Sequence, residues 1–303
     1  MKNILRYLRA PFFTGVIIPV LIGTATVSLQ AHSINIWIFL ATLLGCIFMH
    51  GGANIMNDYF DTLSGADSNN AKRTIFSGGS AVIISGEVTK EKMRNLAIIM
   101  YILGSLCGMF LMYKASNLWY VVLILGLIGF LLGFFYTSPP LKIIYRGFGE
   151  LAIFIAFGPL ICFGTYFVQT LELSFVPILI SIPIGLLITM VLWINQFPDI
   201  EADSKVNKNN WVVRLGLEKS KDIYLAIFYF VFFSVLILTI FGFTPIKSLF
   251  VFVLFPIILK INIAFQNDLT SVKNTIPIQA KTIQLHLLFG LIYALLLFLG
   301  RTI

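Results

Sequence analysis

The chain has 303 residues, 58% of them hydrophobic and 11% charged, with a net charge of +8. Soluble domains carry about 25% charged residues, so this composition excludes a water-soluble globular protein and implies an all-α, multi-pass membrane bundle. The positive balance does not point to nucleic acid, because the basic residues are spread among short juxtamembrane loops where topology and attraction to anionic lipid account for them.

Apolar stretches long enough to cross a bilayer, about 20 residues each, occur near 12–30, 36–57, 95–113, 118–136, 151–171, 175–195, 223–243, 248–265 and 283–300. They predict nine transmembrane helices, the eighth interrupted by Lys260. The first stretch leads straight into a second and lacks a small-residue cleavage site, which argues against a signal peptide. Nine crossings place every Lys and Arg except Lys114, Lys247 and Arg301 on the side of the N-terminus. The positive-inside rule then makes that side cytoplasmic, in the cell's inner membrane. Every acidic residue but Glu172 falls on the same face, so the chemistry is expected there. Nothing suggests a soluble domain or linker, and residues 1–303 read as one membrane domain. Cys46, Cys107 and Cys162, and His32, His50 and His286, are scattered, which argues against a zinc site or an obvious disulfide.

The second stretch ends in Asn54-Ile55-Met56-Asn57-Asp58-Tyr59-Phe60-Asp61, followed by Asp67. The sixth ends in Asn195-Gln196-Phe197-Pro198-Asp199-Ile200-Glu201-Ala202-Asp203. Asn54, Asp58 and Asp61 are spaced i, i+4, i+7 and share a helix face, with His50 one turn inward; Asp199 and Asp203 are i, i+4. Like charges at that spacing repel, and carboxylates beside hydrocarbon are costly. A compensating cation is expected, and hard ions such as Mg2+ take a few carboxylates plus water and phosphate oxygens. Two facing clusters would cage a diphosphate. The bland alternatives are acids solvated at a helix end and, for Asn54, Asn57 and Asn195, hydrogen bonding between helices. The matching positions of the clusters, at the ends of the second and sixth helices, hint at duplication of a four-helix unit. The loops near 58–94 and 196–222 that begin in these clusters read as lids.

A diphosphate also needs cations from the protein. Lys142 follows Tyr136-Thr137-Ser138-Pro139-Pro140, where the prolines end the helix and allow the lysine to turn back over the site. Arg9, Lys72, Arg73 and Arg214 are further candidates, although topology or headgroup contact would explain any one of them. Ser77-Gly78-Gly79-Ser80 offers backbone N–H groups as an anion nest. His50 faces the pocket and is either a contact for an aromatic substrate or a buried hydrogen-bonding histidine.

At these residues the chain resembles the UbiA superfamily of intramembrane prenyltransferases, whose signatures are Asn-Asp-x-x-Asp…Asp and Asp-x-x-x-Asp. Asn57, Asp58, Asp61 and Asp67 match the first, Asp199 and Asp203 the second, and Tyr136 to Lys142 resembles a third element. The resemblance implies Mg2+-dependent transfer of a polyprenyl group from its diphosphate to an acceptor, with two ions, one held by Asn54, Asp58 and Asp61 and one by Asp199 and Asp203. The branch acting on 1,4-dihydroxy-2-naphthoate in menaquinone synthesis is most similar. Its likeness lies in Arg9-Ala10-Pro11, the six-residue step from Asp61 to Asp67, Ser77 to Ser80, Tyr145-Arg146-Gly147-Phe148-Gly149-Glu150, and Asn195 through Asp199 to Val212-Val213-Arg214-Leu215-Gly216. The 4-hydroxybenzoate branch has a four-residue step and an Arg-Pro soon after, which this chain lacks. The resemblance further implies ionisation at C1 of the prenyl chain, attack by the acceptor ring and loss of carboxylate, with Asp67 or, alternatively, an oxygen bound at the metal site as base. The expected partners are polyprenyl diphosphate, an aromatic acceptor and the bilayer, with no protein partner implied. The rivals are another acceptor or a membrane terpene cyclase within the fold, and a secondary transporter outside it. Transporters place charges near the midplane, whereas the predicted helix cores here hold none.

Overall fold

The computed structural model describes residues 2–66, 74, 79–266, 269 and 271–300. Asp67, Lys72, Arg73, Ser77 and Gly78 lie outside these. The described chain is helical throughout, without a strand. The helices are α1 (Lys2–Tyr7), α2 (Thr14–Leu29), α3 (Ile36–Ser64), α4 (Lys90–Ala115), α5 (Trp119–Phe134), α6 (Gly149–Ile155), α7 (Ile161–Thr170), α8 (Val176–Lys205), α9 (Trp211–Leu215), α10 (Leu217–Ile240), α11 (Phe255–Ala264) and α12 (Val272–Phe298).

Among the described residues, eight helical runs are long and apolar enough to cross a membrane. The sequence suggested nine. The difference lies in the run Lys90–Phe134, which joins α4 to α5 through the short 3-10 turn Ser116–Leu118. Ser116 sits at φ 49° and reverses the chain. The ring of Tyr101 on α4 then meets Phe130 and Phe134 on α5 at 5.1 and 6.4 Å, so the two arms run antiparallel.

Polar residues start and stop these helices as their chemistry requires. Asn35 caps α3 by accepting from the backbone N–H groups of Trp37 and Ile38, and Thr89 caps α4 by accepting from Lys92, which satisfies donors no helix partner can reach. Helix α3 runs to Ser64 before Gly65 turns left-handed at φ 79°, and α8 continues to Lys205. The segments from 58 and 196 therefore begin as helix rather than as loop. Hydropathy marks where the apolar surface ends, whereas backbone hydrogen bonding continues until a residue breaks it.

The packed core lies among α2, α8, α10, α11 and α12, where Ile18, Trp193, Phe228, Phe232, Phe289 and Tyr293 are buried together. Close approach here requires glycine: a Cβ on Gly290 would fall 2.2 Å from the Ile18 side chain, and one on Gly158 would fall 2.9 Å from the Gly185 backbone. Gly158 belongs to the π-helical turn Ala156–Leu160 that joins α6 to α7. Helices α3, α4, α5 and α7 form the other half, where α4 and α5 present long apolar faces outward.

Candidate active site

The first acidic wall is the end of α3. Asn54, Asp58 and Asp61 are all buried, and each is held from a different direction. The Asn54 amide donates to the Leu8 carbonyl at 3.2 Å. Asp58 Oδ2 accepts from the Ser80 backbone N–H at 3.1 Å and from the Ser80 hydroxyl, while the Arg9 guanidinium stands 3.8 Å from Oδ1. Ser80, expected to bind a ligand anion, thus binds the protein's own carboxylate. Arg6 and Tyr7 reach Glu87 at 2.7 and 3.5 Å, fastening the N-terminal segment beside the loop that carries Ser80. Asp61 Oδ1 accepts from the Tyr145 hydroxyl at 3.2 Å, which also meets Ser64 Oγ at 2.8 Å.

The second wall is the end of α8, with Asp199 half-buried and Asp203 buried one turn on. Asn210 donates to Asp203 Oδ2 at 2.7 Å and its own Oδ1 caps α9 by accepting from Val213 N–H at 2.9 Å. The two walls meet at Lys208. Its Nζ lies 3.4 Å from Asp61 Oδ2 and 3.7 Å from Asp203 Oδ1, so carboxylates of both clusters fall within reach of one cation. Burial alone would lower the Lys208 pKa, but Asp203, Asp61 and then Tyr145 and Tyr136 together raise it well above the ordinary lysine value. Burial first, then Asp61, pushes the Tyr145 phenol up to about 12. Burial and the nearby Glu150 raise Tyr136 as well.

The other named residues divide. Lys142, left-handed at φ 44°, places Nζ 5.2 Å from the centre of the Tyr145 ring, and Lys208 Nζ stands 5.8 Å from the same ring. Arg214 is a strut: it donates to the carbonyls of Asn209 and Arg146 at 2.8 and 2.7 Å and packs where any side chain on Gly147 would sit. Asn195 accepts from Gln279 at 3.0 Å, which ties α8 to α12 as the interhelical reading of that residue anticipated. Behind the site, fully buried Glu150 accepts from Gln196 and from the Trp211 backbone N–H at 2.9 and 3.0 Å. Sequence reading did not single out Lys208 or Asn210. The available signal was Asn207, a residue tolerant of the left-handed turn, which returns the chain toward Asp203.

Below the acids lies a cavity of about 550 Å³ walled by α3, α4, α5 and the α6–α7 segment. Asn57, His50 and Tyr136 stand at its acidic end, and Thr42, Leu111, Val122 and Val168 at the other. From Asn57 to Thr42 the helix rises about 22 Å. Ile38, Leu111, Ala115, Val122, Phe167 and Val168 pack together at the far end. His50 is edge-on to Phe13 and Phe157 at 5.9 and 4.9 Å. Gly126, Gly129 and Gly133 line the cavity from α5, and Gly104 and Gly108 from α4.

Among the described residues no three of His, Cys, Asp and Glu cluster as ligands for one ion. Mg2+ needs only one or two carboxylates when phosphate oxygens complete its shell. The donors here are all oxygen, and Asp58 Oδ1 and Asn57 Oδ1 are buried without a hydrogen-bond partner among the described residues. The residues fit a Mg2+–diphosphate ligand.

The model of the UbiA prenyltransferase family matches residues 16–275. The 1,4-dihydroxy-2-naphthoate octaprenyltransferase of Bacillus subtilis (strain 168) is 32% identical over 222 residues, covering 71% of this chain and 67% of that protein. The protein of the same name from Mycobacterium tuberculosis is 29% identical over 208 residues, covering 69% and 68%. A solved UbiA homolog from Archaeoglobus fulgidus, bound to GPP and Mg2+, superposes with a TM-score of 0.63 over 96% of this chain and 99% of its own, at 13% identity. That last likeness is one of fold.

Proposed function

The chain belongs to the UbiA prenyltransferase family and is a multi-pass membrane prenyltransferase; from that premise we propose that it transfers a polyprenyl group from its diphosphate to 1,4-dihydroxy-2-naphthoate, with loss of CO2, in menaquinone synthesis. The observation that carries this reading is one continuous arrangement: carboxylates from α3 and α8 gathered around Lys208 at the mouth of a long apolar cavity. A diphosphate belongs at the mouth and a hydrocarbon tail below it. The naphthoate acceptor is supported by the identity of the Bacillus and Mycobacterium relatives and by the motif spacings described above.

In this reading Asp58 and Asp61, with Asn54, would hold one Mg2+ ion and Asp199 with Asp203 a second, with Asp67 a candidate base. The ions supply Lewis-acid stabilisation of the departing diphosphate. Lys142 and Arg9 add positive charge at the same place, with Lys72 and Arg73 as further phosphate contacts from the neighbouring segment. Heterolysis of the C1–O bond leaves the electron pair on the diphosphate and an allylic cation on the chain. The acceptor ring attacks C1, and its carboxylate leaves as CO2, returning the bonding pair to the ring. His50 and Tyr136, at the acidic end of the cavity, sit where an aromatic ring would approach. The apolar walls keep water from the cation. Counting the α4–α5 hairpin as two crossings gives nine, and the charge distribution then orients the acids toward the cytoplasm, in the inner membrane.

The test is purified protein in lipid with Mg2+, a polyprenyl diphosphate and a panel of aromatic acids, read by mass spectrometry. The expected product is the prenylated naphthalenediol, lighter by CO2 and dependent on Mg2+. Prenylation of a different acid would move the acceptor assignment, and a cyclised hydrocarbon formed without acceptor would replace transfer by cyclisation.

A further inference from the structure

Lys208 is delivered to its place by the backbone. The end of α8 turns through Asn207 at φ 57°, and the Lys208 N–H donates to the Asp203 carbonyl at 2.9 Å. The side chain is only 17% exposed and reaches both Asp61 and Asp203. Asn210 secures the far oxygen of Asp203, and Tyr145 secures the far oxygen of Asp61. Two buried carboxylates on different helices repel one another in a poorly screened environment, and removing the cation between them would leave uncompensated charge. The ammonium therefore stands between two of the carboxylates that the proposed function assigns to the metal ions.

We propose that Lys208 is a resident counter-ion that holds the acid-bearing ends of α3 and α8 together and makes divalent-metal and diphosphate binding mutually dependent. A metal ion arriving alone must displace the ammonium from Asp61 and Asp203, leaving that charge buried without a partner. A metal ion arriving with diphosphate brings phosphate oxygens that accept the displaced ammonium. Lys208 opposes the first event and assists the second, so each ligand strengthens the other by the same factor. This inference rests on the metal–diphosphate reading of the site.

The test uses Mn2+ as the probe, with its binding to the purified full chain in lipid followed by electron paramagnetic resonance with and without inorganic pyrophosphate. The wild-type chain should bind Mn2+ weakly alone and at least about tenfold more tightly with pyrophosphate. K208M should bind Mn2+ alone about tenfold more tightly than wild type and lose most of the pyrophosphate enhancement, because the competing cation is gone. Its metal-free melting temperature should fall and recover on adding Mn2+. K208R, which keeps the charge, should behave as wild type. A purely structural lysine would lower the melting temperature without tightening Mn2+, so unchanged Mn2+ affinity and unchanged enhancement in K208M overturn the inference. If K208M folds only with Mn2+ present, chelation should unfold it, which supports the proposal; failure of both K208M and K208R to fold with Mn2+ overturns it. A wild-type chain that binds no Mn2+ even with pyrophosphate would instead sink the metal–diphosphate reading itself.

Discussion

The two halves of this bundle use similar apolar residues to opposite ends. Around α8, α10 and α12 large side chains interlock, with Phe232 against Phe252, Phe255 and Phe289 at 5.2 to 5.7 Å, and with Gly290 conceding its side chain to Ile18. Around α3, α4 and α5 the same kind of surface encloses a hollow. There a Cβ on Gly108 or Gly126 would meet nothing within 4 Å. Glycine in a helix costs roughly 0.5–1 kcal/mol relative to alanine. In the packed half that cost is offset by contact; in the hollow half the glycines leave room. One acidic wall belongs to each half, α3 on the hollow side and α8 on the packed side, so the site lies along their seam.

Cutting the seam should have the largest effect. Asp58→Asn or Asp199→Asn should lower transfer by a thousandfold or more, on the order of the loss when a key electrostatic stabiliser is removed, with the protein still inserted and folded by circular dichroism. Full activity in both variants would remove the metal cage. Next comes the packed half alone: Phe232→Ala should destabilise the fold by about 3–5 kcal/mol, seen as a lowered denaturation midpoint, while kcat per folded molecule holds. A selective change in donor preference there would erase the contrast between the halves. The hollow half should respond the other way. Gly126→Phe projects a ring into the cavity about 12 Å along α5 from Phe134, at the helix end that precedes Tyr136, so kcat/KM should fall by roughly a hundredfold for long donors, as misplacement does, yet hold for a two-unit donor, with little change in melting temperature. Equal losses for both donors would mean the tail lies elsewhere. The smallest effect is expected from Lys142→Ala, about tenfold on diphosphate use with the acceptor KM steady, measured by steady-state kinetics varying each substrate in turn.

The apolar stretches and the acidic pairs were legible because each is written locally: hydrocarbon length is a run, and a shared helix face is a spacing. The helix ends were not, since α3 and α8 continue through polar residues until Gly65 and the turn at Asn207 stop them. Arg214 was read as a phosphate contact because charge is visible in sequence, whereas its two carbonyl partners become neighbours only after the 146 and 209 loops meet. Lys208 was counted only as a topological charge for the same reason: its meaning comes from Asp61, which only tertiary folding brings near. The cavity left no signature beyond its glycines, because an enclosed volume belongs to four helices at once.

In the proposed reading, the cluster of Ile38 and Val122 at the far end of the cavity bears on how much of a donor this protein could measure. An isoprene unit spans four chain bonds of about 1.5 Å each, or roughly 5 Å extended, so some four units would fill the chamber. Met109, Leu123 and Leu127 line it and also face outward, which gives any surplus hydrocarbon a way out into the surrounding lipid. On the proposed function, an enzyme built this way would grip the head of its donor and be indifferent to how far the tail trails beyond, leaving the length of the finished product to whichever upstream synthase made the chain.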